Sequence, residues 1–346
     1  MANEIIFDPR TMLEAVRIMK PRTTFFRTFF MRNVRTSPQK TVQADFKRGG
    51  AVLAPIVNEI VGGKLTTLPG YSSNIFKTPL VAPDKVLNAA DLGVRLPGES
   101  PYSTITTQDR DAALVAESLE ELDGEITRRE EWMCAVALIT GKIEYKSDDT
   151  EFQIDFGFQN KITLAAGSLW SDANSNPINE IESWQDDYIL KYGYQKGDIL
   201  VGAVDAINAF WFHPKIQDLL KNYKGQFVNV APRITAPGIT YVGTIDYLGI
   251  DVYKYAETYK DDVDGQMKKY IPDGQVVLLS SAANFEMAYG AVDLADEETN
   301  TIRTVQGARV PDSWVEKRPI RRIINLSSRP LPIPREVDSW VSAKVL

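Results

Sequence analysis

The stretch TTQDRDAALVAESLEELDGEITRREEWMCAVALITG, Thr106 to Gly141, decides how the rest of the chain can be arranged. It holds no proline and one interior glycine, Gly124. As one α-helix it is about 50 Å long at ~1.5 Å per residue, against an average helix of roughly 11–12 residues. Val115, Leu119, Leu122, Ile126, Met133 and Val136 fall at alternating four- and three-residue steps, broken only at Arg129, and mark one apolar face. Glu117, Glu120, Glu121, Glu125, Arg128, Glu130 and Glu131 are expected on the other faces, with Glu125 one turn from Arg129. Thr106 with Asp109 resembles a capping box, and Gly141 followed by Lys142 suits a C-terminal cap. The expected element is a long amphipathic helix packed on a sheet.

The totals set the frame for that helix. A chain of 346 residues suggests about two domains. With 44% apolar, 10% aromatic and 25% charged residues it is globular and can fill real cores. No apolar run approaches the ~18 residues of a membrane span, and the start, MANEIIFDPRTML, has no signal-peptide core, so no membrane partner is expected. One cysteine, Cys134, excludes disulfides and thiolate metal clusters and points to synthesis in a reducing compartment. The net charge of −7 argues against a binder that grips nucleic acid with a basic face. It is compatible with a protein that encloses a polyanion without holding it.

Upstream of the helix, TMLEAVRIMK (Thr11–Lys20) reads as a short helix capped by Thr11 with Glu14 and ended by Pro21. In PRTTFFRTFF, Phe25, Phe26, Phe29 and Phe30 crowd around Arg27. These aromatics need burial, either on the chain's own body or on a neighbouring copy. Arg22, Arg27, Arg32 and Arg35 make the segment basic. Thr41–Phe46 alternates like a strand. From Arg48 to about Pro101, Gly-Gly pairs and recurring prolines punctuate the β-type runs AVLAPIV and SNIFKTPLV. A structureless loop of that length is disfavoured in a compact domain. A long β-hairpin projecting from the body fits better, and a two-stranded ribbon wants another surface.

Downstream, Glu144–Asn160 alternates with Phe152, Ile154, Phe156 and Phe158. Asp198–Gly202 is a buried-type strand, followed by VDAINAFWFHPKIQDLLKN, helix-like with a break at Pro214. Tyr241–Tyr259 and Gln266–Ile271 read as strands joined by DDVDG, whose Asp264–Gly265 suits a tight turn. Gln275–Ser280, RRIINLSS and WVSAKVL are further strands, the last two divided by the proline-spaced RPLPIP. The class is α+β without regular βαβ alternation.

Residues that carry chemistry are scarce. His213 is the single histidine, beside Pro214 at a helix break, and reads as structural. Cys134 lies among apolar residues and reads as a small hydrophobe. Neither GxxxxGK[ST] nor GxGxxG occurs, so no phosphate-cradling loop is visible. DDVDG fails as a calcium loop, with Lys260 at the first ligand position and Ile271 at the twelfth. Glu120–Glu121 and Glu130–Glu131 read as helix-surface charges, and Tyr253, Tyr255 and Tyr259 as a packing face. No catalytic, cofactor-binding or metal-ligating residue is assigned, and the chain is read as a non-enzyme. An arm and a ribbon with too little surface to bury themselves point to assembly.

At this point the chain resembles the lambda-type phage major capsid proteins (protein E family), which have the Hong Kong 97 capsid fold. Phe25–Phe30 is similar to the FLRLFF-like element of that family's arm. Ala54-Pro55-Ile56-Val57 with Gly62-Gly63 resembles YVSPIVSG, and Arg95–Pro101 resembles RLPDEDP. Glu131–Leu138 with Thr140-Gly141-Lys142 resembles EEMQAVSAVLKGK, and Trp170-Ser171 resembles EWS. Pro311–Val315 is similar to PKNWV, and Asn325–Pro332 before Asp338–Ser342 to the family's ending. The order and spacing of these segments over about 300 residues carry the resemblance.

The resemblance implies an N-terminal arm over 1–38, a peripheral domain over 39–47, 103–150 and 306–346 with the long helix as spine, an extended loop over 48–102 and an axial domain over 151–305. It implies a major capsid protein of a tailed phage or prophage, self-assembling into pentamers, hexamers and an icosahedral shell around packaged double-stranded DNA. Implied partners are a separate scaffolding protein, a portal and a decoration protein, with assembly in the bacterial cytoplasm. No cleaved scaffolding region precedes the arm on this reading, and Lys64 and Lys77 are not assigned to a covalent cross-link. Contact residues between subunits are then expected at Arg22, Phe25, Phe26, Arg27, Phe29, Phe30, Arg32, Pro55 and Ile56. An encapsulin-like compartment shell is the alternative, and a soluble enzyme a third.

Overall fold

The computed structural model describes residues 8–19, 24–47, 71–88, 106–146, 151–190, 195–222, 229–236, 238–296 and 301–346. The long helix spans Thr107–Thr140. Thr106 Oγ1 accepts from Asp109 N at 3.2 Å, and Asp109 Oδ2 accepts from Thr106 N at 3.3 Å, closing the expected capping box. Gly141 ends the helix at φ 66°, and a Cβ there would lie 2.3 Å from Phe158 Cβ.

The helix has two characters. In its first half Val115, Leu119, Leu122 and Ile126 are buried with Met12, Leu87, Ile324 and Leu326, while Glu117, Glu120, Glu121 and Glu125 are exposed. In its second half Met133, Cys134, Ala135, Ala137, Leu138 and Ile139 are all buried, and Trp132, Val136 and Thr140 mark the one face left half-buried to exposed. WMCAVALI is apolar all round, so most of this half's circumference lies in the core.

A three-stranded antiparallel sheet, with Ile320–Ser327 between Val310–Lys317 and Asp84–Asn88, packs on the first half. A seven-stranded mixed sheet runs in the order Lys161–Thr163, Val341–Lys344, Gln275–Leu279, Ile199–Ala203, Ile250–Tyr255, Ile239–Ile245, Asn229–Ala236. Alternation sorts its two faces. Leu200, Val252, Val276 and Leu278 pack with Trp170, Trp184, Phe210 and Trp211, whereas Val201, Val277, Leu279 and Tyr255 join the core around the helix's second half. The helices Val204–Phe212 and Pro214–Asn222 meet at the expected break.

Thr41–Lys47 pairs antiparallel with Tyr71–Lys77 in a two-stranded sheet. The expected run AVLAPIV, and with it Pro55 and Ile56, lies outside the described residues, as do Arg22, Pro21 and Lys64. Among the described residues no helix is long and apolar enough to cross a membrane.

Three expectations need correction. The short N-terminal helix is Pro9–Ile18 and is capped by Asp8, whose Oδ1 accepts from Arg10 N at 2.9 Å; Pro9 occupies the first turn, so Thr11 lies inside the helix. Tyr241–Tyr259 is interrupted, because Gly249 at φ 67° turns the chain between Ile239–Ile245 and Ile250–Tyr255. RPLPIP does not divide strands but is one: Pro330–Pro334 pairs with Phe285–Tyr289. Gly290 N to Arg329 O and Arg335 N to Asn284 O make the odd-numbered residues the bonding ones, so each proline faces away from the ladder on an edge strand. The last strand, Val341–Lys344, pairs with Gln275–Leu279 and Lys161–Thr163.

Candidate functional site: the N-terminal segment and its anchor

The segment singled out for contacts between copies is held against its own subunit. Phe26, Phe29 and Phe30 are 0%, 6% and 0% exposed. Phe25 packs on Tyr253 with ring centroids 5.3 Å apart, Phe26 on Tyr255 at 5.3 Å and Phe30 on Phe285 at 4.9 Å. Of the two destinations open to these aromatics, the chain's own body is the one they take. Within the single chain Phe26, Phe29 and Phe30 are thus spent on the subunit's own core, and Phe25 is half-buried.

Arg27 is likewise committed. Its Nε donates to Glu130 Oε2 at 2.5 Å, and its backbone N donates to Glu131 Oε2 at 2.7 Å. Arg32 differs: it is exposed, lies over the Phe29 ring at 5.3 Å and donates to Ser281 O. Of the nine expected contact residues, Arg32 is the exposed one among those described, and Phe25 and Arg27 are half-buried.

Glu130 and Glu131, expected on the helix surface, are 0% and 1% exposed. Their positions follow from the helix's change of character, since the doublet sits where the amphipathic half meets the mostly buried one. Glu130 Oε1 accepts from Arg309 Nη1 at 2.7 Å and from Tyr289 Oη at 3.0 Å. Arg309 Nε reaches Asp123 at 2.6 Å, about two turns earlier on the same face of the helix. Burial pushes the Glu130 carboxyl up, but Arg309 and then Arg27 outweigh it and hold it below its ordinary value. Among the described residues Glu131 faces no such cation. Burial holds its carboxyl above the ordinary value, opposed by the N–H groups of Arg27, Phe26 and Phe25 and the Tyr255 hydroxyl.

A second anchor lies ten residues on. Glu286 is paired with Arg35 at 2.7 Å and with Arg335, and Val34–Thr36 forms a parallel pair with Met287–Tyr289. Residues 24–36 are therefore riveted to the long helix and to the strand Phe285–Tyr289 by two buried carboxylates, each facing two arginines. Reading the sequence alone missed Glu130, Glu131, Arg309 and Glu286. One signal was present: a Glu doublet directly before a run apolar on all faces has no solvent side to occupy.

The residues weighed for chemistry fall in structural places. His213 is buried, and its Nδ1 accepts from Lys215 N at 3.3 Å, which leaves Nε2 as the donor to Asp172 O at 3.0 Å. Ser175 Oγ is 3.2 Å away, but the nitrogen facing it carries the proton and is no base. Cys134 is fully buried, and burial pushes its thiol well up. At the DDVDG tip, Asp261 and Asp264 accept from the backbone of Val263 and Gln266 at 2.9 Å each and pair with Lys268. Tyr253, Tyr255 and Tyr259 pack on Phe25, Phe26 and Tyr270 respectively.

Comparison with known proteins gives a full-length match. Residues 8–345 match the family model described as phage major capsid protein E. The chain is 26% identical over 335 residues to the P21 prophage-derived major head protein of Escherichia coli O6:H1, covering 94% of this chain and 95% of that one. It is 23% identical over 342 residues to the major capsid protein of Escherichia phage lambda, covering 93% of each. Among solved structures, a capsid protein of a prophage of E. coli CFT073 superposes with a TM-score of 0.69 at 18% identity, covering 96% of each chain.

Proposed function

The chain belongs to the phage major capsid protein E family and its function is that of a major capsid protein of a phage or prophage, and from that premise we propose how its parts serve assembly. The observation that carries the reading is the match over residues 8–345, with relatives covered along nearly their whole length.

On this reading copies assemble into pentamers and hexamers and then into an icosahedral Hong Kong 97-type shell around double-stranded DNA. The seven-stranded sheet belongs to an axial unit that meets its copies around each ring. The long helix and the sheet of Asp84–Asn88, Val310–Lys317 and Ile320–Ser327 belong to a peripheral unit. The ribbon rooted at Thr41–Lys47 and Tyr71–Lys77 is the base of the extended loop. Val341–Lys344 is assigned with the axial sheet, because its hydrogen bonds are there. The anchored residues 24–36 mark the root of the arm, and its reach to neighbours falls to the residues before them. Exposed Ile75, Phe212, Ile234, Ile302 and Ile320, at 72–82%, supply apolar surface for contacts between copies. Each such contact yields about 25 cal/mol per Å² before association costs, and closed symmetry multiplies it.

Scaffolding, portal and decoration proteins are the proposed partners, with assembly in the bacterial cytoplasm. Co-expression with the scaffolding protein of the same phage, followed by negative-stain microscopy and a nucleic-acid assay, tests the scheme. Closed shells are expected; a chain that stays monomeric beside its scaffold would overturn it.

A further inference from the structure

The buried carboxyls of Glu130 and Glu131 are adjacent but unequally served. Glu130 faces two guanidiniums, Arg27 and Arg309. Among the described residues Glu131 receives neutral donors alone: Phe25 N at 3.2 Å, Phe26 N at 2.9 Å and Tyr255 Oη at 2.8 Å on Oε1, and Arg27 N at 2.7 Å on Oε2. Three of those four come from residues 25–27. The short helix Phe26–Phe30 has no side-chain cap from its own N-terminal neighbour, so Glu131 is the acceptor its first N–H groups have. The same residues fill a groove floored by Tyr253, Tyr255 and Phe285.

We propose that Glu131 is the latch of a strap: beside the Arg27–Glu130 pair it holds the backbone of residues 25–27 on the long helix, and when it no longer offers two acceptor oxygens residues 24–31 open as a unit ahead of global unfolding. Both oxygens are needed, because Phe26 N and Arg27 N bind different ones. An amide in that place sets an NH₂ group against a buried N–H. The opening stops short of Val34–Thr36, which is tied separately to Met287–Tyr289. The inference goes beyond the assembly scheme and concerns the isolated chain, so it can fail while the shell reading stands, and the reverse.

Hydrogen exchange resolved along the full chain tests it. Glu131→Gln is expected to lower the protection of amides 26–31 by roughly tenfold or more, while those of Leu200–Ala203 change less than about threefold. Tyr255→Phe, which leaves three of the four donors in place, is expected to give a smaller loss confined to the same amides. Equal loss in both regions, or no loss in the strap, overturns the proposal. If the Glu131→Gln chain does not fold, the wild-type chain in graded urea decides. Amides 26–31 are then expected to open with a shallower urea dependence than Leu200–Ala203, and a common slope overturns the latch.

Discussion

At the scale of single residues, the tightest constraints come from charges withdrawn from water. Arg309, only 10% exposed at its side chain, spans Asp123 and Glu130 and also touches Thr127 and Ser328. Removing one partner of such a network leaves the others charged and unsatisfied, at a cost of about 3–5 kcal/mol. Arg309→Met is therefore expected to lower the unfolding free energy measured by urea titration by that much, while Lys146→Met, at an exposed pair with Glu151, changes it by less than about 1 kcal/mol. Gly141→Ala combines a left-handed backbone with a clash against Phe158, and loses at least ~1 kcal/mol in the same measurement. That glycine was legible in the sequence, because a C-terminal cap is a local rule. The burial of Arg309 was not, since nothing within a turn of it says that Glu130 stands opposite.

At the scale of elements, the limits of the long helix follow from its own residues, and its packing does not. Arg129, the break in the apolar stripe, pairs with Asp262 at 2.6 Å rather than serving Glu125, and stacks against Trp132 and Tyr145 at 5.1 Å each. This ties the hairpin Thr258–Lys260/Met267–Lys269 to the helix. Burial pushes the Asp262 carboxyl up, but Arg129 and the Tyr145 hydroxyl outweigh it and hold it below its ordinary value of 3.8. A depressed carboxyl contributes stability that is complete above the ordinary value and is lost as pH falls through the lower, folded one. Acidification from pH 5 to below 3.8 is thus expected to loosen this hairpin, read as a drop in amide protection at Tyr259 and Lys260, and Asp262→Asn removes that pH dependence. The strand Pro330–Pro334 carries the complementary lesson. Its prolines forbid a central position, yet their period of two suits an edge, and sequence reasoning that treated proline as a divider overlooked the period.

At the scale of the molecule, the two arginine–carboxylate rivets separate what can leave the body from what is part of it. Deleting residues 1–19 removes the helix Pro9–Ile18, which fully buries only Met12, and leaves Glu130, Glu131 and Glu286 with their partners. The thermal midpoint is expected to fall by a few degrees at most, while shell assembly, followed by sedimentation of the co-expressed protein and scaffold, is lost. Deleting 1–35 instead strips the buried carboxyls of Arg27 and of three backbone donors, and is expected to unfold the core. The sequence by itself determined the kinds and limits of the elements, the absence of disulfides and the resemblance over most of the chain. Caps, periods of two and 3.6, and ordered motifs are written in neighbouring residues. The tertiary structure alone decided that the Glu doublet of the long helix is core rather than surface. Glu130 is satisfied by Arg27 and by Arg309, 103 and 179 residues away, and only the folded chain brings those charges together.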